Sequence, residues 1–451
     1  MKNKFFQIII FIALFLVPAI GNIGVRPVQA GESREDNFQA ERLTLSRAKQ
    51  IALANSPSLD AAFERINQAR EVVSQAKAAC LPTIAATAGW DYTEATQYTG
   101  AGYDETKYSN RISATQVLFD GFYRKYANLS AQYGVEMRLA GQKEVKRLLA
   151  WSVAQAFLNT QLALENIKIA QSDIDFNRKQ EIEAAAKQKI GTGSFSDVLN
   201  FQTKVNSAAS LLLRARQDLK ESTYGLAALL GYKNARLPHN MTVEPLSFEE
   251  PELLQSPVDL ESLDSKMDEL LAGRPDLNNA SLAVRDAQAR IQMAKASYYP
   301  TISLTGAYGA NSGNSFLDKD RMAASAGINI NFEIFSGGVT KSRVREALSV
   351  KREFENTFKD ASIKAVSNIR SSAENVTTTL QQLNLQKKNT RLIETTRELV
   401  EKEYTAGQVS LVRLNEAQNN FVNAMGERSI TMASFILALE EFNYYTGGNI
   451  N

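Results

Sequence analysis

The chain has 451 residues, a formal net charge of +2 and 44% hydrophobic residues. This length allows two or three domains, and the near-zero charge gives no sign of a nucleic-acid partner or of binding to a membrane surface. With a mean hydropathy of −0.26, the composition excludes a multi-helix inner-membrane protein, although it is compatible with a β-barrel.

Residues 1–30 have the pattern of a secretory signal peptide. Lys2 and Lys4 give a positive start, and residues 5–20 form an apolar run that is short for a membrane span. Small residues at the Val28 and Ala30 positions predict cleavage after Ala30, so that the mature protein starts at Gly31. The alternative is an uncleaved N-terminal anchor.

The first half of the mature chain, residues 31–230, is predicted to contain a helix, a β-hairpin, a very long helix and a returning helix. The hairpin occupies about residues 83–118, and the apolar period then changes from two to about 3.6. The long helix is predicted to run without proline to Ile190 and to stop at Gly191, and Asp197 lies at the start of the returning helix. A helix of about 70 residues is on the order of 100 Å long, so it needs packing partners along its length.

The strands of this chain have two unlike faces. Even-numbered residues from 324 to 334 are apolar, whereas odd-numbered residues from 325 to 333 are polar or glycine. Such alternation indicates either a soluble β-sandwich or a barrel with its apolar face on lipid and its polar face on a water-filled lumen. Four strands are too few to close a membrane barrel, for which about eight is the usual minimum. If they span a membrane, several chains must share one barrel.

Residues 263–451 repeat the first half, with a second hairpin at about residues 301–335. Pro300 follows Pro82 at an offset of 300 − 82 = 218, and Gly407 follows Gly191 at 407 − 191 = 216. Offsets that persist over most of the mature chain indicate an internal duplication. Between the halves, residues 231–262 are rich in proline and acidic side chains, and we interpret them as a connector rather than a domain core.

The order of these motifs resembles the TolC family of outer-membrane efflux and secretion channels. The resemblance covers nearly the whole mature chain and depends on short motifs that are weak alone but specific in their order. They are Leu43-Thr44-Leu45, Arg274-Pro275-Asp276-Leu277, Ala294-Lys295-Ala296, Phe335-Ser336-Gly337-Gly338, and the turn segments around Gly191–Gln202 and Tyr404–Gln418.

The resemblance implies a mostly α-helical fold with a membrane β-barrel contribution. Three chains with four strands each would form a twelve-stranded barrel in the outer membrane, and their long helical hairpins would form an α-barrel tunnel across the periplasm. The family implies passive exit of substrates delivered by a periplasmic adaptor and an inner-membrane pump of the RND or ABC type. The cargo is a drug, a metal ion or a polypeptide, so type I protein secretion is the alternative to small-molecule efflux.

Two sets of strand residues are candidates for the barrel. Polar residues expected to face the lumen and to tune passage are Asp91, Arg111, Asn329, Asn331 and Glu333. Aromatic residues expected at the membrane interface are Trp90, Tyr92 and Tyr308. Ordinary strand packing is the alternative for the aromatic set.

The two turn regions are candidates for a periplasmic gate, because the resemblance implies that links between them hold the entrance shut. The candidate gate residues are Ser196, Asp197, Tyr404, Gly407, Arg413 and Glu416. The chain departs from the family at Val409 and Arg413. Asp197 is therefore expected to pair with Arg413 or to hydrogen-bond Tyr404, and Glu416 to form an acidic ring. The alternative is that these are solvated charges at helix ends.

Nothing in the sequence indicates an enzyme. The only histidine, His239, lies in the connector, and there is no HExxH motif, phosphate loop or nucleophile elbow. A single cysteine excludes an intramolecular disulfide. We expect no cofactor, metal site or nucleic-acid partner. A trimeric coiled-coil adhesive protein is a more distant alternative, which a duplicated up-and-down helical hairpin disfavours.

Overall fold

The computed structural model describes residues 41–96, 102–248, 260–313, 315, 316 and 318–447. The predicted signal peptide, the predicted start at Gly31 and residues 249–259 of the connector lie outside these ranges. Among the described residues, no helix combines the length and the apolar composition needed to cross a membrane.

The described residues of the first half form four helices, α1 at Leu45–Asn55, α2 at Pro57–Ala78, α3 at Tyr123–Lys189 and α4 at Phe195–Leu229. Thr44 caps α1, since its side-chain oxygen accepts a hydrogen bond from the Arg47 amide at 3.2 Å. Pro57 occupies the first turn of α2, where its missing N–H costs nothing. Pro57 therefore marks the point at which α1 ends and α2 begins.

The second half contains α5 at Leu260–Ala272, α6 at Pro275–Lys295, α7 at Val339–Thr405 and α8 at Leu411–Tyr445. Both α3 and α7 have 67 residues, and both α4 and α8 have 35. The start of α7 follows that of α3 by 339 − 123 = 216 residues, and α6 follows α2 by 275 − 57 = 218. The helices thus repeat at the offsets that the sequence predicts.

Four strands form one antiparallel sheet in the order β2, β3, β5, β6, at Thr83–Thr96, Gly102–Asp120, Thr301–Ser312 and Ala323–Asn331. The pairing of β3 with β5 joins the two hairpins, so β2 and β6 are the edge strands. Two short strands, β1 at Glu41–Leu43 and β4 at Met241–Val243, pair in parallel. The connector therefore contributes a strand of its own.

The second hairpin is shorter than predicted. Strand β6 ends at Asn331, opposite Thr301, the first residue of β5. Residues 332–335 continue the alternation in the sequence. They extend past Thr301, where β5 begins, so no residue of β5 lies opposite them and they are not part of a strand. Glu333 consequently lies outside β6, which corrects its predicted place in a strand.

The long helices pack as antiparallel hairpins, α3 with α4 and α7 with α8. Helix α3 also contacts α6 and α8, which links the two halves. One apolar core lies where α1, α3 and α4 meet, and it includes the fully buried Val153, Leu226 and Leu230. A second core places connector residue Leu246 against Leu383 of α7 and Phe435 of α8. The connector is thus packed on the helices on both sides.

Candidate channel gate and barrel lining

Two five-residue turns, 190–194 and 406–410, connect the long helices to the returning helices, and we call them the first and second tips. Each long helix ends in the same way, because Gly191 and Gly407 adopt φ values of +79° and +76°. The amides of Thr192 and Gln408 bond back to helix carbonyls at 3.0 and 2.9 Å, which satisfies groups that the helix ends leave free. The two tips are therefore built alike.

A serine starts the returning helix at both tips. Ser194 accepts a hydrogen bond from the Ser196 amide at 3.1 Å, and Ser410 accepts one from the Arg413 amide at 3.4 Å. The predicted gate residues Ser196 and Arg413 thus lie in the first turns of α4 and α8.

An apolar core shared by all four long helices lies just above the tips. Phe201 of α4 is fully buried among Ala184 of α3, Val400 of α7 and Leu414 of α8. The Tyr404 ring packs edge-on against Phe201, with centroids 6.4 Å apart. The two hairpins are therefore held together near their tips by apolar packing as well as by charges.

The charges at the tips are arranged differently from the prediction. Arg413 Nη1 lies 3.0 Å from Glu416 Oε2 on the same helix, so its ion pair within the chain is with Glu416 rather than with Asp197. Among the described residues, no hydrogen bond joins Tyr404 to Asp197. Burial, and then the charges of Asp197 and Glu183, raise the pKa of the Tyr404 hydroxyl. Asp197 therefore acts on Tyr404 through its field alone.

A polar cluster between α3 and α7 was not predicted from the sequence. Glu401 of α7 accepts hydrogen bonds from Lys179 at 2.9 Å, Gln180 at 3.3 Å and Arg397 at 3.3 Å. The Arg397 guanidinium also lies over the ring of Phe421, 4.9 Å from its centroid. The spacing of Arg397 and Glu401, four residues apart, was the available signal. No sequence signal indicated the contact of Glu401 with α3, because that contact joins residues 222 positions apart.

Four of the five predicted lumen residues share one face of the sheet. Directly opposite residues lie on the same face, and the register places Asp91 opposite Lys107, Arg111 opposite Thr87, Asn329 opposite Ser303 and Asn331 opposite Thr301. Thr305 accepts a hydrogen bond from the Asn329 amide at 3.0 Å on this face. Glu333 is the exception, as it lies beyond the strand.

The predicted interfacial aromatics lie on the other face. Trp90 is opposite Tyr108, Tyr92 is opposite Thr106, and Tyr308 is opposite Ile112. The same face carries apolar pairs such as Ile302 with Ile330. Trp90, Tyr92 and Tyr308 are 57%, 52% and 54% exposed in the single chain, so no described part of the chain forms a layer over this apolar face.

The candidate residues described above do not form a catalytic cluster. His239 is exposed at the edge of a groove of 390 Å³ between the connector and helices α3 and α4. Within the described ranges, no three His, Cys, Asp or Glu side chains come together as a metal site. The polar groups at the tips and on the sheet are instead arranged as linings and contacts.

Comparisons with known proteins give one consistent family. The model described as "Outer membrane efflux protein" matches residues 48–232 and 267–429. Outer membrane protein TolC of Escherichia coli (strain K12) is 23% identical over 432 residues, which cover 92% of this chain and 82% of TolC.

Two relatives from Pseudomonas aeruginosa have different cargoes in their names. The pyoverdine export outer membrane protein OpmQ is 24% identical over 383 residues, covering 83% of this chain and 79% of OpmQ. The alkaline protease secretion protein AprF is 24% identical over 433 residues, covering 92% of this chain and 86% of AprF. The fold is similar to that of the Campylobacter jejuni CmeC outer membrane channel, with a TM-score of 0.77 at 17% identity over 93% of this chain and 91% of that one.

Proposed function

Because the chain belongs to the outer membrane efflux protein family, we propose that it is the outer-membrane channel of an export system that crosses the cell envelope. It sits in the outer membrane, extends into the periplasm and gives passive exit to substrates. The observation that carries this proposal is a sheet with one apolar and one polar face, joined to two helices of 67 residues. The sheet suits a lipid boundary, and the helices are long enough to cross a periplasmic gap.

The functional form is a homotrimer. Strands β2 and β6 each leave one edge without a partner within the described part of the chain, and an open edge in lipid leaves backbone groups unsatisfied. Three sheets of four strands would close a barrel of twelve strands, within the range of known outer-membrane barrels. Asp91, Arg111, Asn329 and Asn331 then line the lumen, while Trp90, Tyr92 and Tyr308 meet lipid.

The helices of the three chains form an α-barrel tunnel that narrows at the tips. Asp197, Tyr404, Arg413 and Glu416 lie at or beside the tips, and each becomes a ring of three around the axis. Ser196 and Gly407 set the local geometry of the same region. Repulsion within a ring of like charges is relieved in each chain where Arg413 pairs with Glu416. An adaptor and an inner-membrane pump of the RND or ABC type supply the substrate and the energy.

Small-molecule efflux is the preferred cargo class, and type I protein secretion is the alternative. The two Pseudomonas relatives match at the same identity, and one exports pyoverdine whereas the other secretes a protease. No enzymatic activity is proposed, since the family consists of channel components. A trimeric adhesive stalk is disfavoured because each long helix packs against a returning helix as an antiparallel hairpin.

Conductance in planar bilayers tests the channel, and mass measurement in detergent tests the trimer. We expect discrete conductance steps from a species with three times the mature mass. A monodisperse monomer, or a trimer that inserts without conducting ions, contradicts the proposal. Deleting the gene and then measuring drug susceptibility and secreted protein in parallel separates the two cargo classes.

A further inference from the structure

We infer that a cleft between α2, α3 and α6 binds small organic anions that carry an apolar group, as a cargo site inside the channel. This inference rests on the proposed function, because it assigns a substrate class to the proposed channel. It adds the residues that hold the anion, which are Arg65, Arg138 and Arg290.

The cleft lies close to the sheet and is large enough for a small molecule. Helices α2 and α6 each pack against α3, and the space between them has a volume of 540 Å³. The small residues Ala131 and Gly134 of α3 form its floor, and Val72 and Met137 contribute apolar sides. Sites for small molecules have volumes of about 300–1,000 Å³, so the cleft can accommodate a drug-sized molecule.

The cleft carries more positive than negative charge. Its only acid, Asp286, is buried, accepts a hydrogen bond from Ser130 and forms an ion pair with Arg290 at 2.8 Å. Arg65 and Arg138 also line the cleft, and within the described ranges neither makes an ion pair or a hydrogen bond. Three like charges around one cleft repel one another, and a single carboxylate offsets only one of them. A bound anion would relieve the rest.

The cleft is on the concave side of the three helices. Ala127, Ala131 and Gly134, on the cleft face of α3, are partly buried, whereas Lys125 and Lys143, on the opposite face, are exposed. The neighbouring helices therefore lean over the cleft face and away from the other face. In a ring of helices, the concave side of each group faces the axis, so in the proposed tunnel the cleft opens into the lumen.

The lining fits a particular kind of anion. Guanidinium groups bind carboxylate and sulfonate oxygens through paired, charge-assisted hydrogen bonds, and the side chains of Val72 and Met137 offer an apolar surface beside them. Arg65 and Arg138 are exposed, so their hold on an anion is weak and reversible. A conduit needs such weak binding, because cargo that enters must also leave.

Block of single-channel current tests the site in the full-length trimer in planar bilayers. The probe is naphthalenesulfonate, an apolar ring with a permanent negative charge. We expect it to reduce the current in a saturable manner. Naphthylmethylammonium, which carries a positive charge on the same ring, and inorganic phosphate, which has no apolar group, should block much less.

Charge variants locate the block. Arg65→Gln with Arg138→Gln removes the two guanidinium groups that have no protein partner, and it leaves Arg290 to pair with the buried Asp286. The concentration of naphthalenesulfonate for half block should rise about tenfold, because hydrogen bonds between charged groups are lost. Lys125→Gln with Lys143→Gln removes the same charge from the opposite face of α3 and should leave this concentration unchanged.

A space-filling variant tests the cleft without altering its charge. A Cβ added at Gly134 meets no atom within 4 Å, and the same is true of Gly141, which lies two turns further along α3 and outside the cleft. Gly134→Leu should fill the cleft and weaken the block, whereas Gly141→Leu should not. Replacing a helical glycine favours the helix, so neither variant should lower the Tm.

The outcomes separate this inference from the proposed function. Equal block by the cation or by phosphate overturns the ligand class. If the double arginine variant is blocked like the wild type, or if the double lysine variant loses the block equally, the cleft is not the site. In each of these cases a conducting trimer remains, so the channel stands. A wild-type trimer that does not conduct overturns the proposed function and the inference with it.

Discussion

Lys179 Nζ lies 2.9 Å from Glu401 Oε1 and joins α3 to α7 a few turns above the tips. The same oxygen accepts a hydrogen bond from Gln180, which is almost fully buried, and the other carboxylate oxygen accepts one from Arg397. One carboxylate thus receives three donors from two helices that belong to different halves of the chain. It is therefore a main polar contact that keeps the two hairpins together close to the proposed gate.

Replacing Glu401 with Gln should destabilise this contact. The Arg397 guanidinium would lose the nearer of its carboxylate partners and keep Glu398 at 4.0 Å, in a site that is only 18% exposed, at a cost of about 1–3 kcal/mol. We expect a lower Tm in detergent, measured by circular dichroism. Asp360→Asn is the control, since the Asp360 and Lys364 pair is exposed on one helix and is worth little. Equal shifts in Tm for the two variants would contradict this role for Glu401.

The pH dependence of the same contact follows from Lys179. The hydrogen bond to Glu401, and then the Glu401 charge, raise the pKa of the Lys179 amine. A raised pKa in the folded state means that the stabilisation is complete below the ordinary lysine pKa of 10.5 and is lost as the pH rises through the folded value. The Tm difference between wild type and Lys179→Met should therefore be constant from neutral pH to about 9 and shrink above 10.5.

Tyr444 should titrate as an unusually weak acid. Burial, and then a hydrogen bond of 2.8 Å to Glu144, raise its pKa to about 12. Its contribution to stability is fully present below the ordinary tyrosine pKa of 10.0 and is lost as the pH rises towards 12. When tyrosinate absorbance is followed in a pH titration, Tyr444→Phe should show one titrating tyrosine fewer near pH 12 than the wild type. A wild-type titration curve for Tyr444→Phe would refute the assignment.

Much of the fold was accessible from the sequence because the signals are long or repeated. Proline-free tracts with a 3.6-residue apolar period predicted the helices that became α3 and α7, which both have 67 residues. Period-two alternation predicted which strand residues share a face, and the register confirms it for Asp91 and Asn329. These features depend on local chemistry, so a single chain reveals them.

The features that were wrong or missed depend on partners that the sequence does not place. Arg413 forms an ion pair with Glu416, three residues away on the same helix, instead of the long-range pair expected with Asp197. The contact between Arg147 and the Tyr444 carbonyl joins residues 297 positions apart. Glu333 lies outside β6 because residues 332–335 have no strand to pair with within one chain. In the first two cases the sequence showed the charged group but not its distance from a partner, and in the third it showed the alternation but not the neighbouring strand.

Two equivalent glycines should tolerate substitution differently. Gly231 and Gly447 have φ values of +83° and +74°, so a side chain is strained at both by about 1–2 kcal/mol. A Cβ at Gly231 would also lie 2.5 Å from the Asn55 carbonyl oxygen, whereas at Gly447 the nearest atom, the Gly273 oxygen, is 3.3 Å away. Gly231→Ala should therefore lower the Tm more than Gly447→Ala. The reverse order would show that the close approach at Asn55 relaxes freely.

At the proposed gate, the ring of Tyr404 should matter more than its hydroxyl. The ring packs on Phe201 and lies under the Lys187 amine, 5.1 Å from the ring centroid. Tyr404→Phe keeps these contacts, whereas Tyr404→Ala opens a cavity in the core shared by the four helices. Single-channel conductance should rise in Tyr404→Ala and stay near wild type in Tyr404→Phe. A similar rise in both variants would show that the hydroxyl holds the tips instead.

The two faces of β6 should respond differently to the same added charge. Ile330 lies opposite Ile302 on the apolar face, and Asn331 lies opposite Thr301 on the polar face. A lysine at Ile330 should cost about 2–4 kcal/mol near the bilayer midplane, because it would place an ammonium in lipid. Ile330→Lys should therefore reduce the amount of folded trimer recovered from outer membranes. Asn331→Lys should leave that amount unchanged and shift the ion selectivity measured as a reversal potential in planar bilayers. If both variants assembled equally well, the apolar face of this sheet would not be the face that meets lipid.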